Sequence, residues 1–184
     1  MMMNNLLEGT SVFLIGMMGV GKTSVGKSLG KKLGYRFFDT DILIEKVARQ
    51  SINDIFATQG EWVFRELESK VLGELCAYTK SAIATGGGII LKKENWGYLH
   101  QGLIVWLDAP VELLVKRLSE DTTRPLLQQT DLGKKLSSLL ATRQSLYAEA
   151  DLHVRIEPNQ TSEQISDQIL EEIPTVLKNK VHSS

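Results

Sequence analysis

Eight residues near the start of the chain, Gly16-Met17-Met18-Gly19-Val20-Gly21-Lys22-Thr23, leave little choice of fold. They match G-x-x-x-x-G-K-[S/T] without a mismatch, after an apolar run of strand length, Ser11–Ile15, and before a segment of helical period, Lys22–Leu33. Glycine at positions 16, 19 and 21 lets successive backbone N–H groups converge on one anion without Cβ atoms in the way. A helix that starts at Lys22 adds its positive end. Such a loop joins the first strand and first helix of a parallel α/β sheet and cradles nucleotide phosphates. In it Lys22 reaches the β- and γ-phosphates, and the Thr23 hydroxyl ligates Mg²⁺. Met17, Met18 and Val20 fill variable positions, where the backbone does the binding. The motif leaves the reaction open, because switches, motors, transporters and small-molecule kinases all use it.

The rest of the chain repeats the alternation. Arg36–Phe38, Ala82–Thr85, Leu103–Leu107 and Leu152–Arg155 predict four more strands, mostly continuous apolar runs suited to parallel strands covered on both faces. Helical patterns occupy Ile42–Val47, Asn53–Gln59, Glu61–Ala77, Lys93–His100, Pro110–Leu118, Leu132–Ala148 and Ser162–Leu177. The expected class is α/β: a three-layer P-loop fold with a five-stranded parallel sheet flanked by helices. A chain of 184 residues supplies one core, so residues 1–184 are expected to form one domain with a substrate-binding helical insert at about 40–70. Residues 119–131 are polar, hold Arg124-Pro125 and form a long unpatterned connection, expected to be a mobile lid. The polar tail 178–184 is expected to fray.

Charge and cysteine content narrow the partners. A formal charge of −1 offers no basic field for nucleic acid or an anionic membrane, so an anionic ligand must meet locally clustered cations. The single cysteine, Cys76, cannot form an internal disulfide, and no Cys/His cluster has zinc spacing; the chain suits a reducing cytosol. The apolar run Val12–Val20 is far below the ~20 residues that span a bilayer. The first residues show neither a basic n-region nor the Arg and Ser richness of a transit peptide.

Two clusters follow predicted strands. Phe37-Phe38-Asp39-Thr40-Asp41 closes one with two acids a residue apart. On extended backbone both carboxylates point the same way, one placed to hold Mg²⁺ through water and the other to face a hydroxyl. The plainer reading is a helix cap from Thr40 or Asp41; beside a phosphate loop we favour the functional one. Asp108, after Leu103–Leu107, looks like the strand-end acid of many ATPases, but Ala109-Pro110 follows at once and capping of the next helix accounts for it. Ala84-Thr85-Gly86-Gly87-Gly88 is the second cluster. Three glycines in a row cost chain entropy and suit backbone that approaches a ligand closely, a loose turn being the alternative. Glu61 and Arg65, at i and i+4, read by default as a surface pair, and Arg143, near Tyr147, as one more charged helical residue.

Together these pieces resemble the shikimate kinases, in the nucleoside-monophosphate-kinase branch of P-loop folds. GMMGVGKTSVGK, FFDTD, IFATQGEWVFRELE, ATGGG, TRPLL and ATRQSLY occur in that family's order, and the resemblance runs from about Ser11 to Leu177. It implies an ATP-dependent phosphotransferase that phosphorylates the 3-hydroxyl of shikimate, giving 3-phosphoshikimate and ADP in aromatic amino acid biosynthesis. It further implies one Mg²⁺ per subunit and a cytoplasmic monomer whose partners are ATP and shikimate. Carried over position by position, it implies that Gly19, Val20, Gly21, Lys22, Thr23 and Ser24 hold the ATP phosphates. Thr23 would bind Mg²⁺ directly and Asp39 through water. Asp41 would bind the shikimate hydroxyls, including the one that attacks. Arg65 and Arg143 would grip the carboxylate with backbone N–H groups of Gly87 and Gly88, while Phe56 and Phe64 wall the pocket and Glu61 orients Arg65. Arg124 would close over the transferring phosphoryl group, making it catalytic with Lys22 and Asp41. Arg117 would flank the adenine, and Gln160 would meet it from a loop, Glu157-Pro158-Asn159-Gln160, that lacks the family's frequent basic residues.

Three rivals remain at this level. A gluconate kinase would share cradle and lid, but not the combination of Arg65, triple glycine and Arg143. A nucleotide-dependent switch would need a guanine-specificity sequence of the NKxD type, and none is present. A binding protein that had lost catalysis would show damage at Lys22, Thr23, Asp39 or Arg124, and all four stand.

Overall fold

Parallel strands cannot be joined by tight hairpins, and here helical crossovers carry the chain between them. The computed structural model describes residues 6–120 and 131–181, the last four as backbone only. β1 (Val12–Ile15), β2 (Arg36–Asp39), β3 (Ser81–Ala84), β4 (Leu103–Asp108) and β5 (Leu152–Arg155) form one parallel sheet in the order β2-β3-β1-β4-β5. β1 and β3 are buried along their whole length and β4 up to Leu107, whereas edge strands β2 and β5 keep exposed positions. This difference explains why the central runs are apolar throughout and β5 alternates.

Register places the site. Leu14 pairs with Ala84, and Ala84 with Asp39, so β1, β3 and β2 end level. The loop after β1, the acids after β2 and the glycines after β3 therefore leave one edge together. β1 lies between β3 and β4, which makes its carboxyl end a topological switch point where ligands bind. α1 (Lys22–Leu33) packs on β2, β3 and α8 (Ser162–Val181). α2 (Thr40–Ala48), α3 (Ile52–Thr58) and α4 (Glu61–Leu75) pack on one another, with α5 (Lys93–Leu99) against α4. α6 (Val111–Glu120) packs against α7 (Leu132–Tyr147). No helix among the described residues is long and apolar enough to cross a membrane.

Most element ends move by a residue or two from expectation, and the larger shifts have causes. α2 begins at Thr40 rather than Ile42 because Asp39 caps it: its Oδ1 accepts from Asp41 N at 2.9 Å and Ile42 N at 3.2 Å. The cap is thus neither Thr40 nor Asp41, and Asp41 stands in a helical first turn rather than on extended backbone. α6 runs on through Ser119 and Glu120, α8 continues to Val181, and Ile89–Leu91 form a short 3-10 turn that no pattern signalled. The lid expected at 119–131, with Arg124, falls largely on 121–130, outside the described residues.

The β1–β4 seam is tight where the chain enters β4. A methyl on Gly102 would stand 2.6 Å from Ser11 O and 2.7 Å from Phe13 Cε2. Gly102→Ala is therefore expected to destabilise by about 1–3 kcal/mol, read as a lower melting temperature, while nucleotide binding persists. An unchanged melting temperature would show that the seam relaxes freely.

Candidate active site

The phosphate loop is built from backbone that side chains would obstruct. At Gly16 (φ +150°) a methyl would stand 2.5 Å from Leu107 O, and Gly21, in the left-handed region at φ +99°, leads into α1 with no capping side chain competing for its N–H groups. Lys22 Nζ donates to Gly16 O at 2.7 Å and Met17 O at 3.0 Å, which folds it back over the loop. The loop, Ser24, Asp39, Asp41, Gly86, Gly87, Arg117 and Gln160 line a cavity of about 470 Å³. Arg117 lies on the loop itself, donating to Gly19 O at 3.3 Å and Val20 O at 2.9 Å. Gln160 uses its side chain to close its own loop, accepting from Glu157 N and donating to Gln168.

Thr23 Oγ1 donates to Asp39 Oδ2 at 2.6 Å in that cavity. Among the described residues no group of three or more His, Cys, Asp or Glu is placed to hold a metal. Two adjacent hard oxygens fit a cation that completes its shell with water and nucleotide phosphate, the habit of Mg²⁺.

Gly86-Gly87-Gly88 runs along the edge of this cavity, with Gly86 and Gly87 in its wall. Thr85 Oγ1 donates to Leu14 O at 2.8 Å, and Gly86 N to the buried Thr40 Oγ1 at 3.0 Å, pinning the strip to β1 and α2. A methyl on Gly86 would stand 2.8 Å from both Asp41 Oδ1 and Glu68 Oε2. On Gly87 it would lie 3.7 Å from Met18 N and 3.8 Å from Arg143 Nη1; on Gly88 it would collide with the Arg65 guanidinium, 2.6 Å from its Cζ. The strip thus lies against the phosphate loop, Asp41, Arg65 and Arg143. The two arginines do not line the nucleotide cavity; they flank the strip beside it.

Arg65 is held differently from expectation. Glu61 Oε1 is 3.4 Å from Nη2 and its side chain is largely exposed, whereas Glu68 Oε1 accepts from Nη1 at 2.9 Å and is buried. Glu68 therefore supplies the tighter, drier bond, and the assignment of Arg65's orientation to Glu61 is corrected to include it. The guanidinium also lies 5.2 Å from the centroid of Phe64, whose ring packs at 4.9 Å from that of half-exposed Phe56. Sequence reasoning missed Glu68, one acid among several on an amphipathic helix. It missed Tyr147 as well, whose hydroxyl donates to Gly87 O at 3.1 Å beside Arg143 Nη1 at 3.3 Å. The Asp108 side chain, read from the sequence as a helix cap, pairs with His153 Nε2 at 2.8 Å.

A family model for shikimate kinase matches residues 18–174. A shikimate kinase from Nostoc punctiforme is 59% identical over 176 residues, 96% of this chain and 97% of that one. The chain belongs to the shikimate kinase family. Among solved shikimate kinases, that of Acinetobacter baumannii in complex with shikimate superposes with a TM-score of 0.85 at 38% identity, covering 94% of this chain and 97% of the other. A gluconokinase from Sinorhizobium meliloti, at 17% identity and a TM-score of 0.58 over 96% of this chain and 98% of its own, shares the fold alone.

Burial pushes the Glu68 carboxyl above the ordinary glutamate range; Arg65 opposes the shift, nearby Asp41 adds to it and Lys92 opposes it. Between the ordinary and the raised value the folded chain binds more protons than the unfolded one, so this residue's contribution to stability falls as pH rises through that window. Glu68→Gln cannot ionise and should lose less melting temperature than the parent as pH rises from the ordinary glutamate range towards neutrality. Parallel curves for the two proteins would mean that Arg65 keeps Glu68 ionised throughout.

Proposed function

We infer that this chain transfers the γ-phosphate of ATP to the 3-hydroxyl of shikimate, giving 3-phosphoshikimate and ADP in aromatic amino acid biosynthesis. The observation that carries this reading is the shared glycine strip, which lies against the phosphate loop and against Arg65 and Arg143, the two arginines the reading assigns to the substrate carboxylate. Membership of the shikimate kinase family supplies the substrate.

Phosphoryl transfer asks the protein for alignment and charge stabilisation rather than covalent help. The backbone of Gly19, Val20, Gly21 and Ser24 cradles the phosphates, and Lys22 neutralises charge on the β- and γ-oxygens. Thr23 would hold one Mg²⁺ per subunit directly and Asp39 would hold it through water, and the ion would offset charge on the phosphates. Arg65 and Arg143 bind the shikimate carboxylate with planar, charge-assisted bonds that lysine could not copy, aided by N–H groups of Gly87 and Gly88. Phe56 and Phe64 wall the ring. A carboxylate is a weak base toward an alcohol, so Asp41 orients the attacking hydroxyl and takes its proton late. Arg124 closes over the phosphoryl group as water, the competing acceptor, is excluded. Arg117 braces the loop and flanks the base, with Gln160 on its far side. The reading includes a cytoplasmic monomer, a compartment that the lone, partly buried Cys76 suits.

A coupled ADP-release assay tests the reading: turnover is expected with shikimate and not with gluconate, and the reverse preference would overturn it. In the same assay Arg124→Ala should lose about 10²-fold or more in kcat with little change in the KM for ATP. Unchanged turnover would remove Arg124 from the chemistry.

A further inference from the structure

Tyr147 heads the fully buried side chains by volume among the described residues, and it closes α7 four positions after Arg143, on the same helix face. Its hydroxyl and Arg143 Nη1 both donate to the carbonyl of Gly87, at 3.1 and 3.3 Å. A carbonyl oxygen has two lone pairs, so the two donors fill it. The Tyr147 ring stacks on Trp106 with centroids 5.6 Å apart and planes 17° from parallel. Trp106 pairs in register with Ile15, the last residue before the phosphate loop. The ring is therefore seated on β4, the neighbour of the strand that leads into the phosphate loop, and not on Arg143. Burial pushes the phenol above its ordinary range, with Arg143 opposing, so the hydroxyl stays a donor at neutral pH.

Arg143 has two calls on it. In the structure it bonds the Gly87 carbonyl; in the proposed reaction it must bond a carboxylate. Were it the carbonyl's only donor, each substrate that drew it off would leave a partly buried acceptor unpaired and would loosen the strip beside the phosphate loop. We propose that Tyr147 is a positioning residue that keeps the Gly87 carbonyl bonded while Arg143 turns to the substrate carboxylate. This rests on the shikimate reading above. It makes the Tyr147 hydroxyl matter for acceptors with a carboxylate and not for the fold at large.

Tyr147→Phe removes one oxygen and keeps the ring on Trp106. The KM for shikimate should rise about five- to tenfold, the size of one lost hydrogen bond, while kcat and the KM for ATP stay within about twofold. With the analogue whose carboxylate is reduced to a primary alcohol, kcat/KM should be the same for parent and variant, since nothing draws Arg143 away. In an Arg143→Gln background the further change Tyr147→Phe should cost less than it does alone. An unchanged shikimate KM, or an equal loss with the alcohol analogue accompanied by a lower melting temperature, would overturn the proposal and leave Tyr147 a core residue. A parent enzyme inactive on shikimate would defeat the functional reading instead, so the two failures are distinguishable.

Discussion

Close approach of bare backbone at the end of β3 is the constraint on which the rest of the site depends. A side chain at Gly86, Gly87 or Gly88 would meet, in turn, the Asp41 and Glu68 carboxylates, the space between the phosphate loop and Arg143, and the Arg65 guanidinium. The entropy lost in ordering three glycines is offset by the bonds that pin them: Thr85 to Leu14, Thr40 to Gly86, and Tyr147 and Arg143 to Gly87. The level ends of β1, β2 and β3 bring those partners to the same edge.

Electrostatics follow from that layout. A chain of net charge −1 has no general attraction for a nucleotide or an acid, so recognition falls to a few oriented cations. Each is held by something specific: Lys22 by loop carbonyls, Arg117 by Gly19 and Val20, Arg65 by buried Glu68 and more loosely by Glu61, Arg143 by Gly87. Holding the cations in advance lowers the ordering cost when an anion arrives. A buried glutamate beside Asp41 is expensive unless Arg65 stays in place, and this couples the stability of α4 to the orientation of the Arg65 guanidinium.

Much of this was legible in the residues because the chemistry is written in local patterns. The phosphate loop needs glycine and lysine at set spacing, and all five strands, their order of appearance and the glycine strip were placed from apolar runs and turn signals. The pattern marked Asp39 and Asp41 as a functional pair and the resemblance made Asp39 the metal-side acid; its second use as the cap of α2 has no separate signature in the sequence. Glu68 and Tyr147 were invisible for a different reason. Each is an ordinary residue on a patterned helix, and only tertiary packing shows that one is buried against Arg65 and the other aimed at Gly87. The family resemblance pointed to Arg65 and Arg143, which pattern alone read as surface charge; it did not supply what orients them.

The most direct test of the central claim is calorimetric titration of Gly88→Ala. Its φ of −97° is open to any residue, so the new methyl acts through space rather than strain, displacing the side chain of Arg65 at little cost to the backbone. The account predicts that shikimate affinity falls more than about tenfold while MgATP binds as to the parent and the fold melts within a few degrees of it. Shikimate binding at parental affinity would contradict it, because the glycine strip would then not be what brings Arg65 to the acceptor.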